Sequence, residues 1–85
     1  MRENLEFHII ISDLEHDATT EQPNVTYNAD DCYQEIIRYF EEIDQNLPTG
    51  TNVTFNPKDL KVTINKPDCK PIIIYGSPYD PNSFH

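Results

Sequence analysis

The segment Asp13-Leu14-Glu15-His16-Asp17 places four potential oxygen or nitrogen ligands within five residues. Carboxylates and an imidazole at that density are what a divalent-cation loop or a proton-transfer site would use. Density alone does not make either one. An EF-hand loop needs a central Gly and a distal bidentate Glu, and zinc sites need HExxH or paired Cys/His spacing. Neither pattern occurs, so the segment reads as a plain acidic loop. Cys32 falls at the start of a predicted helix, where the dipole favours a thiolate, and Cys69 lies between Lys66 and Lys70. No His or Asn arrangement of protease type surrounds either residue. Both read as ordinary thiols, and their spacing does not decide whether they pair. His8 falls in a strand pattern with no assignable nucleophile. With two glycines in the chain, neither a phosphate loop nor a dinucleotide fingerprint can form. No enzymatic activity, metal or cofactor is expected.

The carboxylates carry more information as a field than as catalysts. Residues 1–44 hold twelve acids against Arg2 and Arg38, a charge of −10. Residues 45–85 hold three acids and four lysines, a charge of +1, and the two halves account for the net −9. Such a field repels nucleic acid and anionic membrane and attracts basic protein surfaces. Crowding of this kind predicts raised carboxylate pKa values, with stability gained as pH falls from about 7 toward about 5.

Eighty-five residues make one domain, 1–85, with a modest core. The opening MRENLEFHII has no continuous apolar run or small-residue cleavage site, so no secretory signal is expected. Apolar runs of three or four residues are too short for a transmembrane helix. A reduced, cytoplasmic protein is the expectation.

Alternation of Leu5, Phe7, Ile9 and Ile11 with Glu6, His8 and Ile10 predicts a strand over 5–11. Residues 12–27 lose that period and read as a long acidic loop, with a short extended piece at 25–27. A helix is predicted over 29–46, capped by Asn28 and stopped by Pro48 and Gly50. Tyr33, Ile36, Ile37, Phe40, Ile43 and Leu47 form its apolar stripe. Thr51–Phe55, Leu60–Ile64 and Ile72–Tyr75 read as three further strands, joined by turns at 56–59 and 66–71. The expected core joins Tyr33, Ile36, Phe40 and Ile43 to Phe7, Ile9, Val53, Val62 and Ile73. Residues 76–85 read as an irregular tail whose aromatics either patch the core or dock on a partner. The order β-α-β-β-β makes a two-layer α+β domain, one amphipathic helix on a mostly antiparallel sheet.

Those elements place the acids. Asp30, Asp31, Glu35, Glu41, Glu42 and Asp44 fall on the helix, and Asp13, Glu15 and Asp17 on the loop before it. Acids in the first turn suit the helix dipole, whereas Glu41, Glu42 and Asp44 add to its negative end. These nine are the candidate partner-binding residues. A solvated face that keeps a small protein soluble is the plainer reading of the same pattern.

Residues 35–57, EIIRYFEEIDQNLPTGTNVTFNP, resemble part of the immunity proteins that inhibit DNase colicins and pyocins. There an acidic helix with a Phe-Glu-Glu core runs into a Pro-Gly turn and an aromatic-Pro segment. The match covers about a quarter of the chain. That family is all-helical, with a Tyr-Tyr-Pro recognition helix and a Trp in its last helix. Here Phe55-Asn56-Pro57 replaces the aromatic pair, the end reads as strands and Trp is absent. The resemblance therefore implies a way of binding, and no fold or site residue is carried over.

Size, charge and missing catalytic machinery point to a small acidic inhibitor of a basic, nucleic-acid-handling protein, with no direct nucleic acid or membrane binding. A phage-encoded counter-defence protein of the anti-CRISPR kind, an inhibitor of a host DNA enzyme acting as a DNA mimic, or a nuclease-toxin immunity protein would fit. A small accessory or assembly subunit with a non-electrostatic interface is the competing class.

Overall fold

The structure is a computed structural model, and it describes residues 6–79. Asn28 begins the helix. Its backbone is extended, its side chain accepts from Asp31 N at 2.8 Å, and its Nδ2 donates to Asp31 Oδ2 at 3.0 Å. That reciprocal pair satisfies an orphan N–H and fixes how the chain enters the helix. Helix α1 spans Ala29–Asp44. Tight turns from Asn46 N to Ile43 O (3.0 Å) and Leu47 N to Asp44 O (3.3 Å) then lead into Pro48.

Five strands make the sheet: β1 (Glu6–Asp13), β2 (Ala18–Thr26), β3 (Asn52–Asn56), β4 (Lys61–Asn65) and β5 (Ile72–Tyr79). Their order is β2-β1-β5-β4-β3, and every neighbouring pair is antiparallel. One helix on an antiparallel sheet is the α+β layout expected. It also separates the fold from the all-helical immunity proteins.

Three local readings are corrected. Residues 12–27 do not form a long loop. Ser12 and Asp13 finish β1, residues 14–17 turn, and residues 18–26 return as β2. Strand β2 is an edge strand rich in Thr, so apolar alternation never marks it. Three residues, 22–24, stand opposite Ile9 alone, and Pro23 sits in this bulge, where a missing donor costs no ladder bond. The tail also starts later than expected, because residues 76–79 extend β5 and pair with residues 6–9. Residues 80–85 and Leu5 lie outside the described residues. Finally, Ile73 is not in the core. Ile72 and Ile74 are buried beneath α1, so alternation sends Ile73 to the other face.

The core consists of Ile9, Cys32, Ile36, Val62, Ile64, Ile72 and Ile74. Phe7, Tyr33, Phe40, Ile43 and Val53 pack around it, each half-buried. Phe40 and Phe55 meet edge to face at 5.4 Å. Gly76 lies beneath Cys32, and its N–H donates to Leu60 O at 2.9 Å. The helix can sit this close only because residue 76 has no Cβ.

Candidate functional site

Strand directions decide which acids come together. β1 and β4 end where β2, β3 and β5 begin, so the 14–17 turn, the 66–71 turn and the 45–51 connection share one end of the sheet. Helix α1 starts just after β2 and finishes just before β3, so its last turn lies toward that end as well. Glu41, Glu42 and Asp44 thus approach the end that holds Asp13, Glu15 and Asp17. Asp30 and Asp31 lie at the other end of the helix.

The nine acids do not do the same work. Asp13 accepts from the backbone of Glu15 (3.1 Å) and His16 (3.4 Å) and meets His16 Nδ1 at 2.8 Å. These bonds hold the hairpin turn. The His16 contact first, with the two backbone donors, keeps the Asp13 carboxyl below the usual carboxylate range despite partial burial. That direction is opposite to the one crowding predicts. Glu15 accepts from Lys70 N at 2.8 Å, which ties the acidic turn to the lysine-bearing turn. Lys66 and Lys70 therefore offset part of the field at this end. Asp17 is exposed at φ 53, a left-handed turn position that Asp tolerates.

On the helix, Asp31 serves the cap. Glu35 pairs with Arg38, whose other nitrogen lies 3.9 Å from Glu42. Arg38 also stacks over the Tyr39 ring at 5.2 Å. Asp30, Glu41 and Asp44 are exposed, their side chains make no hydrogen bond or ion pair among the described residues, and no basic residue occupies the last turn. The solvent face of α1 is therefore an acidic ridge, with Arg38 as its one cation.

A charge count sets what the ridge can imitate. The helix carries six acids and one arginine over sixteen residues, about 24 Å of axis. That is one net charge per roughly 5 Å, about a third of the density of duplex DNA at about 1.7 Å per charge. The ridge can attract a nucleic-acid-binding cleft without reproducing a phosphate backbone.

No family model, curated protein or solved structure matches this chain. The site must therefore be read from its own chemistry.

The two thiols are free. Cys69 is exposed. Cys32 is buried, and desolvation pushes its thiol up, opposed only in part by the Thr26 hydroxyl. Thr26 Oγ1 is itself buried without a well-formed hydrogen bond. Burial thus reverses the thiolate tendency that the helix start suggests. Among the described residues no group of three or more His, Cys, Asp or Glu could hold a metal, and no helix is long and apolar enough to cross a membrane.

Sequence reasoning missed one cluster. His8 lies between Glu21 Oε2 (2.6 Å) and Glu6 Oε1 (3.3 Å) on the sheet face away from α1. They line a hollow of about 350 Å³ with Ile10, Ser77 and Pro78. Glu6 and His8 share a face by simple alternation, and that much was legible. Glu21 joins them only through β2.

Proposed function

We propose that this chain is a small cytoplasmic inhibitor that binds a basic, nucleic-acid-handling protein and blocks its site, with the α1 ridge as its contact. The observation that supports this most is the set of exposed, unpaired acids at the end of α1, where the helix dipole already disfavours them. Folding gains nothing from acids at those positions, so a use outside the fold accounts for them. The ridge acts mainly by steering. It raises the encounter rate with a positive cleft and suppresses partners of the same sign. A counter-defence protein or an inhibitor of a host DNA enzyme is the setting in which this activity is most useful.

The test is kinetic. The triple variant E41K/E42K/D44K should fold as the parent does and associate with the basic partner much more slowly. The parent's own on-rate should fall steeply between about 0.1 M and about 1 M salt, as the screening length drops from about 10 Å to about 3 Å. Lys58→Glu, in an exposed turn at the sheet end opposite Glu41, Glu42 and Asp44, is the control. A folded triple variant that associates at the parent's rate would refute the ridge as the contact.

A further inference from the structure

The helix covers one face of the sheet, and the other face carries its own pattern. Register aligns one row straight across four strands. Glu21 on β2 faces Ile10 on β1, Ile10 faces Tyr75 on β5, and Tyr75 faces Lys61 on β4. The row reads anion, aliphatic, aromatic, cation. The next row is Thr19, Ser12, Ile73, Thr63 and Thr54, uncharged throughout. The acidic hollow of Glu6, His8 and Glu21 lies on the β2 side of the midline, and Lys61 lies on the β4 side. Lys61 makes no ion pair among the described residues.

These features are placed symmetrically about the line between β1 and β5. A half-turn about an axis parallel to the strands lays this face on a second copy of itself. The rotation exchanges β1 with β5 and β2 with β4. Glu21 then meets Lys61 of the second copy at both ends of the row, and Ile10 meets Tyr75 at its centre. We propose that this chain forms a two-fold dimer through the uncovered sheet face, with Lys61 of each copy entering the Glu6–Glu21 hollow of the other. The contact is isologous, so two complementary ion pairs come from one patch. Two twisted sheets stack in this way about 10 Å apart.

The net charge of −9 does not oppose this arrangement. Each ridge lies on the far side of its own sheet, so the two ridges are separated by about 30 Å, several screening lengths at physiological salt. The four overlapping strands at about 4.8 Å span roughly 19 Å, and their five to nine residues run about 17–30 Å at about 3.3 Å each, so the patch is roughly 300–600 Å², smaller than the ~800 Å² per partner of a standard interface. The dimer is therefore concentration-dependent, in the micromolar range. It leaves both ridges facing outward, and the surface shares no residue with α1, so it stands apart from the inhibitor reading.

Sedimentation equilibrium of the full chain from about 5 to about 500 μM tests it. The parent should pass from monomer to dimer over that range. Lys61→Glu and Glu21→Lys should each weaken the dimer at least about tenfold, and the swap E21K/K61E should recover most of the loss. Thermal melts establish that each variant folds, and Lys61→Gln, with a smaller loss, serves in place of a reversal that does not. A parent that stays monomeric throughout overturns the proposal. So does a dimer indifferent to the folded single variants, or a folded swap that recovers nothing.

Discussion

Replacing Gly76 by Ala should destabilise the parent and stabilise a Cys32→Ala background. A Cβ at residue 76 would collide with Cys32 Sγ, while its contacts with Leu60 Cβ (3.5 Å) and Cδ1 (3.6 Å) are ordinary. Residue 76 lies within β5, and Gly50 is the glycine with positive φ, so the cost at 76 is steric and not conformational. Overpacking of this kind costs about 1–3 kcal/mol. Ala in place of Gly returns about 0.4–1 kcal/mol by restricting the unfolded chain. The single variant should therefore lose about 1–2 kcal/mol. Cys32→Ala removes a buried sulfur and leaves a small void, costing on the order of 1 kcal/mol. In that background the new methyl meets space, the overpacking vanishes, and Gly76→Ala should gain a few tenths of a kcal/mol or more. The assay is urea unfolding of the four proteins of the cycle, read as the midpoint at constant slope. For a chain of this size each kcal/mol also moves the melting temperature by about 4–8 °C. Additive effects, within about 0.5 kcal/mol, would mean that Cys32 does not lie on Gly76 and that α1 is docked in another register.

Ile36→Ala should cost about 2–5 kcal/mol, because the side chain is wholly buried. Phe40→Ala should cost less than a fully buried Phe, since Phe40 is half-buried and its edge contact with the half-exposed Phe55 is worth about 0.5–1.5 kcal/mol. Asn28→Ala removes the cap and should cost about 0.5–2 kcal/mol by the same unfolding assay. His16→Ala should raise the Asp13 pKa toward the ordinary carboxylate value, read by NMR titration of its carboxyl carbon. The folded pKa of Asp13 is depressed, so its contribution to stability is present above the unfolded value and lost as pH falls through the folded one. His16→Ala should therefore soften the acid end of the stability profile and leave pH 7 to 5 flat in this respect.

The apolar periods carried most of the fold. Ile36, Phe40 and Ile43 announce a helix stripe by spacing alone, and Val62 and Ile64 announce the inner face of β4. Strand β2 stayed hidden because an edge strand of Thr, Glu and Gln buries little, so burial never wrote an alternation into it. Ile72-Ile73-Ile74 was ambiguous for a different reason. An unbroken apolar run does not say which residues face the helix, and here the middle isoleucine, Ile73, belongs to the open face. The acidic ridge was legible as charge at helical spacing. The unequal roles of its members were not, because Asp13, Glu15 and Asp31 are spent on turn, loop and cap contacts that need coordinates to see. Cys32 shows the same limit. Its place at a helix start suggests a thiolate, and burial against Gly76 reverses that.

An acidic face that occupies a nucleic-acid site on a basic protein must compete there with nucleic acid. Immobilised parent chain, incubated with extract from its own organism, should retain a basic nucleic-acid-binding protein. Duplex DNA added in increasing amounts should release that protein, and E41K/E42K/D44K should fail to retain it. A protein held equally by the folded triple variant, or one that DNA cannot displace, would show that the acidic face does not occupy such a site.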